Sequence, residues 1–450
     1  MDTEINKYVY IVSLGCSKNF VDTEIMAAAL ISYNFGISAS PDDADIFLIN
    51  TCAFIPPARK EAETIIRQAL KWKKSGKNGE RKIIVSGCIV QWDRENSFMS
   101  KYPEVNLWLG INEVAKLGSH ISRLFINKRQ LLVHREEPSF LYDELTPRLQ
   151  LTPSHYAYIK IAEGCDNHCS YCAIPSIRGR LRSRTIKSTV QEAENLLDNG
   201  VKELILIAQD ITAFGNDAKE INENLAALLQ ALDSLKGNFW LRLLYLHPEG
   251  ITETLVETLI NAKHIVHYLD IPMQHISDSI LSSMNRKVGR REITDTLALL
   301  RKKIPDIAIR TTFLTGFPGE TEEEFEELCE FVREQSFERL GVFPYYPEKF
   351  TPAASMKNQV PGKTAEERAS FIMRLQAKIS LNRNRRLAGK VFDVIVDSVE
   401  NKSGAGRTYM DAPEIDNTVN FTCRNGIKTG DFAKVRIKNS SRYDLTGELV

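Results

Sequence analysis

The run Glu163-Gly-Cys-Asp-Asn-His-Cys-Ser-Tyr-Cys172 governs how the rest of the chain is read, because it sets Cys165, Cys169 and Cys172 in one short loop. Iron–sulfur cubanes normally take four Cys ligands, so a C-x3-C-x2-C triplet with no fourth Cys nearby leaves one iron open to an exogenous ligand. A zinc site completed by His168 fits this spacing poorly. His168 immediately precedes Cys169, too close for both to join a tetrahedral site comfortably, and structural zinc favours paired C-x2-C or H-x3-H arms. Cysteines acting only as small apolar filler fit no better.

The loop follows the first of six strand-like segments, 156–161, 203–208, 240–246, 266–271, 308–314 and 340–345, separated by helical stretches. Six alternating βα units predict a partial barrel rather than the full eight. Barrel chemistry sits at the carboxyl ends of strands, where this loop must lie. Ser188-x-x-Gln191 and Thr321-x-x-Glu324 read as capping boxes, and Asn199-Gly200 as a helix stop. Thr364-x-x-Glu367 predicts the start of a long helix carrying Phe371, Ile372, Leu375 and Ile379 on one face and ending near Gly389.

Toward the N-terminus, three strand-like segments (8–14, 45–50 and 82–86) run into Gly15-Cys16, Thr51-Cys52 and Gly87-Cys88. The two intervals between these cysteines are both 36 residues, the length of a βαβ unit, with amphipathic stretches 21–33 and 59–71 as crossovers. Parallel strands joined by right-handed crossovers bring their carboxyl ends to one sheet edge, so the three thiols should converge. Buried strand ends often carry a lone Cys as filler; three in matched positions favour a second three-Cys cluster.

The chain has 450 residues, 43% hydrophobic and 26% charged, an ordinary globular mix too long for a single core. Lys plus Arg and Asp plus Glu are both 58, so any affinity for nucleic acid or membrane must be local. With no signal-peptide pattern and no long apolar span, a cytoplasmic protein without membrane attachment is expected. Eight cysteines then point to metal or catalytic duties rather than disulfides. Prolines 138, 147 and 153 within 127–155 mark a linker, and from Lys390 short segments at 391–396, 407–410, 418–422, 432–437 and 445–450 predict a small antiparallel barrel. The expected fold class is thus α/β, with an N-terminal parallel sheet domain (1–130), a central partial (βα)6 barrel (150–385) and a C-terminal β-barrel (386–450).

The cysteine triplet resembles the radical S-adenosylmethionine superfamily. Together with the N-terminal three-Cys sheet and the C-terminal barrel, the so-called TRAM domain, it resembles the methylthiotransferase family over nearly the whole chain. Ser13-Leu-Gly-Cys-Ser-Lys-Asn19, Gly164 to Gly179 and Ala412-Pro-Glu-Ile-Asp416 resemble the RimO-type branch, which modifies an aspartate of a ribosomal protein. The tRNA-modifying MiaB-type branch usually lacks the last of these segments. Ser17 stands where the RimO-type branch commonly has Pro, and Asn417 where it commonly has Gly; Asn tolerates a left-handed turn. Residues 388–450 carry nine Lys or Arg against nine Asp or Glu, whereas a domain gripping tRNA should be basic. Asp411, Glu414 and Asp416 predict a face for a basic protein surface. Methylthiolation of tRNA is the neighbouring alternative, and a non-catalytic zinc-containing ribosome- or RNA-binding module the alternative from another class.

The resemblance implies two [4Fe-4S] clusters, one on Cys165, Cys169 and Cys172 and an auxiliary one on Cys16, Cys52 and Cys88, with S-adenosylmethionine as methyl donor and radical source. Sulfur insertion at an unactivated carbon needs a hydrogen removed that no side-chain base can take; the implied target is the β-carbon of an aspartate in a small-subunit ribosomal protein. No catalytic residue is assigned beyond the cluster ligands. Tyr171, beside the cluster, and Gln209, Asp210 and Gln274, at strand ends, are the candidate cofactor contacts; loop packing and helix capping are the alternatives. Arg178, Arg180, Arg182 and Arg184 alternate after the loop and are read either as contacts to acidic substrate or ribosomal RNA or as a solvated face. Cys329 and Cys423 read as packing, as does the Gly316-Phe-Pro-Gly-Glu320 turn as a turn, and His247 and His275 as structural. An external electron donor and a monomeric enzyme complete the expectation.

Overall fold

The structure, a computed structural model, describes residues 7–76, 81–126, 133–217, 223–423 and 426–450. The first residues of the chain, the opening of the expected linker at 127–132 and Arg424 of the C-terminal charge count lie outside the described residues. The N-terminal sheet comprises β1 (Lys7–Ser13), β2 (Phe35–Ser38), β3 (Ile46–Thr51), β4 (Lys82–Gly87), β5 (Leu107–Leu109) and β6 (Val133–His134) in the order β2-β1-β3-β4-β5-β6. Every pairing is parallel. Helices α1 (Ser17–Ile31), α2 (Pro56–Ser75) and α3 (Cys88–Trp92) follow β1, β3 and β4. The first 36-residue interval is therefore not a bare βαβ unit, since β2 is inserted within it. Its four residues, Phe-Gly-Ile-Ser, are too few to show a period. The register of function survives because β1, β3 and β4 are direct neighbours.

The central sheet comprises β7 (Tyr156–Lys160), β10 (Glu203–Ile207), β11 (Trp240–Leu243), β12 (Ile265–Asp270), β13 (Ala308–Thr315) and β14 (Arg339–Pro344), between which a two-residue hairpin of β8 (Ala162–Glu163) and β9 (Arg182–Ser183) intervenes. The six long strands are parallel and in sequence order, an open part-barrel. Alternation sends Leu204, Leu206, Leu241, Leu243 and Ile309 to the helix-covered face. Tyr156, Tyr158, Ile205, Ile207 and Tyr268 turn to the concave face, where Val21 and Ile25 of α1 and Met410 and Ala412 from the C-terminal region cover them.

The helix of residues Ile186–Asp198 is capped three residues earlier than its predicted box. Thr185 is the cap, accepting the Ser188 N–H, and Ser188 lies inside the first turn. The Thr321–Glu324 box forms as read, and Asn199 ends the first helix, followed by Gly200 at φ 93°. The long helix runs Gly362–Arg385 behind Pro361, with no side-chain cap from Thr364; the fixed φ of Pro361 already sets its start. Its inner face is Ala365, Ala369, Ile372 and Gln376, while Phe371 is exposed and meets Phe325 edge-on.

The C-terminal strands β15 (Val391–Glu400), β16 (Ser403–Arg407), β17 (Val419–Thr422), β18 (Phe432–Ser440) and β19 (Leu445–Leu449) close in the ring β15-β16-β17-β19-β18. The predicted strand at 407–410 instead leaves the barrel after Arg407: Tyr409 and Met410 find their apolar partners on the central sheet. The barrel is also not wholly antiparallel, because β17 and β19 run parallel. An odd ring of strands cannot alternate direction all the way round, so one parallel seam is required. Among the described residues no helix is long and apolar enough to cross a membrane.

Candidate active site

The β8–β9 hairpin closes the base of the Cys165 loop, pairing Ala162 with Ser183 and Glu163 with Arg182. Gly164 turns at φ +78°, and a Cβ there would stand 2.0 Å from the Arg180 carbonyl oxygen, so only glycine lets the two sides of the loop meet. Cys165 N–H donates to the Gly179 carbonyl (3.1 Å) and Cys172 N–H to the Cys169 carbonyl (3.1 Å). Ser170 Oγ donates to the Ser283 carbonyl (2.7 Å), and Asn167 Nδ2 donates to Asp210 Oδ2 (2.7 Å). Burial pushes the Cys165 thiol up to about 11 and the Cys172 thiol up to about 12, the latter helped by Cys169. Arg286 lies 3.9 Å from Cys169 Sγ, anchored by its bond to the Pro272 carbonyl (2.9 Å).

Cys16 caps the start of α1, Cys52 follows β3, and Cys88 opens α3, so all three sit at the carboxyl edge of neighbouring strands. Gly15, at φ +94°, could not carry a Cβ without placing it 2.6 Å from Cys52 Cβ. The chain before Cys16 is thereby pressed against Cys52. The Cys52 thiol is pushed up to about 12, first by burial and then by Cys88 and Cys16. Burial also raises Cys88 against the pull of Arg178. At Cys16, desolvation is outweighed by Lys18, Arg178 and the N–H groups of Asn19 and Lys18, and its thiol titrates below the usual value.

A buried charge network stitches the two loops together. Arg178, six residues after Cys172, donates from Nη1 to Asp22 Oδ2 (2.7 Å) and Glu163 Oε2 (3.1 Å), and from Nη2 to Asn19 Oδ1 (3.1 Å) and toward Cys88 Sγ (3.2 Å). Lys160 Nζ donates to Asp22 Oδ1 and Glu163 Oε2, each at 2.6 Å. Burial would disfavour the Lys160 charge, but Asp22 and Glu163 raise its pKa, and Lys160 with Arg178 holds Glu163 well below the carboxylate range.

Among the predicted contacts, Gln209 donates to Glu163 Oε1 (2.6 Å) and so belongs to this network. Asp210 both caps the following turn through Thr212 N–H (3.0 Å) and steadies Asn167 of the cysteine loop. Gln274, at φ +73°, bridges to β13 through the Thr312 carbonyl and the Leu314 N–H. Tyr171 rests edge-on against Phe317, 6.5 Å between centroids, in a small apolar cluster.

The alternating arginines are not a solvated or substrate-facing run. Arg178 and Arg184 are buried, Arg184 pairing with Glu192, and Arg182 binds the Arg178 and Arg180 carbonyls, leaving Arg180 alone exposed. Of the acidic trio, Asp411 and Asp416 are likewise turned inward, and Glu414, though exposed, bonds back to the sheet. Asp411 pairs with Arg339, Asp416 accepts from Tyr268 Oη (2.6 Å) and Glu414 from Tyr156 Oη (3.1 Å), all on the central sheet. All six long strands of that sheet supply a polar side chain that finds its partner in the 407–416 segment. Sequence reasoning missed Lys160, Glu163 and Asp22. Their one signal was charge inside stretches that otherwise read as apolar strand or helix face.

Among the described residues, no three or more His, Cys, Asp or Glu side chains stand close enough to hold a single metal ion. A cubane spreads its ligating sulfurs over separate irons and asks for a wider frame. Each trio here combines thiols close enough to influence one another with a neighbouring guanidinium to balance their charge, a donor set that fits such a cluster.

Residues 159–332 match the Radical SAM superfamily, residues 8–110 the uncharacterized protein family UPF0004, and residues 388–450 the TRAM domain. Among solved structures, the radical S-adenosylmethionine methyltransferase TsrM from Kitasatospora setae aligns with a TM-score of 0.55 at 13% identity, over 88% of this chain and 81% of that one. That likeness shows a shared fold. Much stronger similarity links the chain to "Ribosomal protein uS12 methylthiotransferase RimO" of Carboxydothermus hydrogenoformans, 44% identical over 98% of this chain and 99% of the relative. The same-named proteins of Desulforamulus reducens (43%, 98% of each chain) and Bdellovibrio bacteriovorus (40%, 100% and 99%) match as fully. Identity of this level, sustained from one end to the other across all three modules, means that the chain belongs to the RimO family of radical SAM methylthiotransferases.

Proposed function

We propose that this enzyme places a methylthio group on the β-carbon of an aspartate in ribosomal protein uS12. The observation that carries the reading is Arg178, which belongs to the segment following Cys172 yet touches Cys88 Sγ, so that the segment after the first cysteine trio reaches the second. In this reading Cys165, Cys169 and Cys172 hold one [4Fe-4S] cluster and Cys16, Cys52 and Cys88 the other, with module boundaries near 1–130, 150–385 and 386–450. When bound, the clusters and S-adenosylmethionine supply the electron, the hydrogen-abstracting radical, the sulfur and the methyl group.

The chain's own residues do the positioning. Gly15 and Gly164 let the loops close tightly enough to aim the thiols. Thiols raised to about 11 or 12 stay protonated when empty and shed their protons on loading, and Arg178 and Arg286 then face the thiolates with fixed positive charge. Gln209, Asp210, Gln274 and Tyr171 edge the barrel mouth, where S-adenosylmethionine would lie. Because the barrel's inner face is covered by α1 and by the 407–416 segment, the substrate side chain enters at the carboxyl edge between the trios. An external electron donor and ribosomal RNA contact through the TRAM domain belong to the same reading.

Mass spectrometry of ribosomal proteins from cells with and without the gene tests it. A methylthio gain on one uS12 aspartate, present only with the enzyme, is expected. A gain on tRNA and none on uS12 would overturn the substrate assignment.

A further inference from the structure

Lys18 occupies a place where a lysine serves the fold badly. It is the second residue of α1, at the helix end where the macrodipole disfavours a cation, and only 9% of it is exposed. Its ammonium lies 3.2 Å from the centroid of the Tyr245 ring; among the described residues no carboxylate forms a salt bridge with it, and the groups that oppose its charge are Tyr245, Cys16 and Asp270. These three offset its burial, so the ammonium keeps its charge there with no carboxylate in direct contact and can take one from a ligand.

The surroundings indicate which anion. Cys16, of the auxiliary trio, is two residues away. Tyr245 follows β11 at the carboxyl edge of the barrel and is held at φ +67°, a left-handed conformation that a non-glycine residue keeps only where its surroundings enforce it. They do so here: Tyr245 N–H donates to Asp270 Oδ2 (3.2 Å) and its carbonyl accepts from Ile211 N–H (3.0 Å). Asp270 is already committed, since its Oδ1 accepts from Arg310 Nη1 (2.8 Å). The Lys18 charge therefore remains available at the mouth of the barrel, beside the cysteines of the N-terminal sheet.

Resting on the aspartate reading above, we propose that Lys18, steadied by the Tyr245 ring, binds the carboxylate of the substrate aspartate and so orients its β-carbon. Two carboxylates meet at this mouth, that of the substrate and that of S-adenosylmethionine. Lys18 stands beside Cys16 of the auxiliary trio and is assigned the former.

The test uses the anaerobically reconstituted full-length enzyme with small ribosomal subunits carrying either native uS12 or uS12 with the target Asp changed to Asn. Lys18→Met should raise KM for the native substrate about ten-fold or more, the effect of losing a hydrogen bond to a charged group. It should also abolish the preference for Asp over Asn while leaving the KM for S-adenosylmethionine and the electron paramagnetic resonance of the Cys165 cluster as in the wild type. Lys18→Arg, which keeps the charge, should retain the Asp preference. An unchanged substrate KM, a raised KM for S-adenosylmethionine, a lost signal of the Cys165 cluster, or loss of the Asp preference in Lys18→Arg would each overturn the assignment. Failure of the wild-type enzyme to modify native uS12 would instead overturn the aspartate reading itself.

Discussion

At the scale of single residues, the site depends on buried charges that have no alternative partners. Arg178 divides its guanidinium among Asp22, Glu163 and Asn19 and reaches Cys88, so Arg178→Ala leaves two carboxylates sharing Lys160 alone. Breaking such a buried cluster costs about 3–5 kcal/mol, to be read by chemical denaturation, and iron per chain should fall as the Cys88 site loosens. Arg178→Lys should recover only part, because a point charge cannot serve three directions at once. A second residue sets a pH limit. His275 is fully buried, and its Nδ1 accepts the Ser277 N–H (3.0 Å), which fixes the neutral ring with its proton on Nε2. Burial, with Arg368 adding to it and Glu324 opposing, lowers its pKa from 6.5 to about 4. The unfolded chain therefore binds the proton first: His275 contributes stability above about pH 6.5 that is lost as the pH falls toward 4, about 3 kcal/mol in all. Denaturation midpoints measured between pH 7.5 and 4.5 should fall in the wild type and fall less in His275→Gln.

At the scale of elements, the two helix starts flagged by the same Thr-x-x-Glu pattern have different physical origins. Thr321 caps reciprocally with Glu324, so Thr321→Ala should lower stability by about 1 kcal/mol. Thr364 lies inside a helix already begun at Gly362, and Thr364→Ala should stay within about 0.5 kcal/mol of the wild type. Thermal unfolding of the two variants side by side separates them. The contrast also shows what could be read in advance. Long strands bounded by Gly and Cys, such as β3 and β4, were legible because a parallel strand buried on both faces is a continuous apolar run, and the half-buried β1 carries a similar run. The brief β2, β5 and β6 were not, since two to four residues carry no period. The six cysteines were legible as a site because their spacing is itself chemistry. Arg178 and Lys160 were not, because a charge in sequence does not reveal whether its counter-charge comes from water or from a segment more than a hundred residues away.

At the scale of the whole molecule, the C-terminal barrel is joined to the central sheet by ion pairs rather than hung on a free tether. Arg407 pairs with Glu203 of β10, Asp416 with Arg310 of β13, and Asp411 with Arg339 of β14. The last pair offers a quantitative check on how this interface is held. Burial raises the Asp411 pKa in spite of Arg339, while Asp411 raises that of Arg339. The two shifts point opposite ways for the pair's worth, and the fully buried carboxylate decides it: desolvation consumes what the attraction supplies, so the pair specifies the docking more than it stabilises it. Either partner alone is then a liability. Asp411→Leu strands the Arg339 guanidinium on the concave face, and Arg339→Met strands the carboxylate; each single change should destabilise by about 3–5 kcal/mol. The double variant should recover most of that loss but not all, because Asp411 also accepts from Thr408 Oγ1 (2.8 Å) and from Asn417 N–H (3.3 Å) and so braces the turn that brings Met410 to the sheet. A double-mutant cycle by denaturant unfolding measures this directly, with a coupling energy of about 2 kcal/mol or more expected for the pair. Additive single effects would mean that the two side chains act independently and that the apolar contacts of Tyr409 and Met410 alone hold the barrel in place.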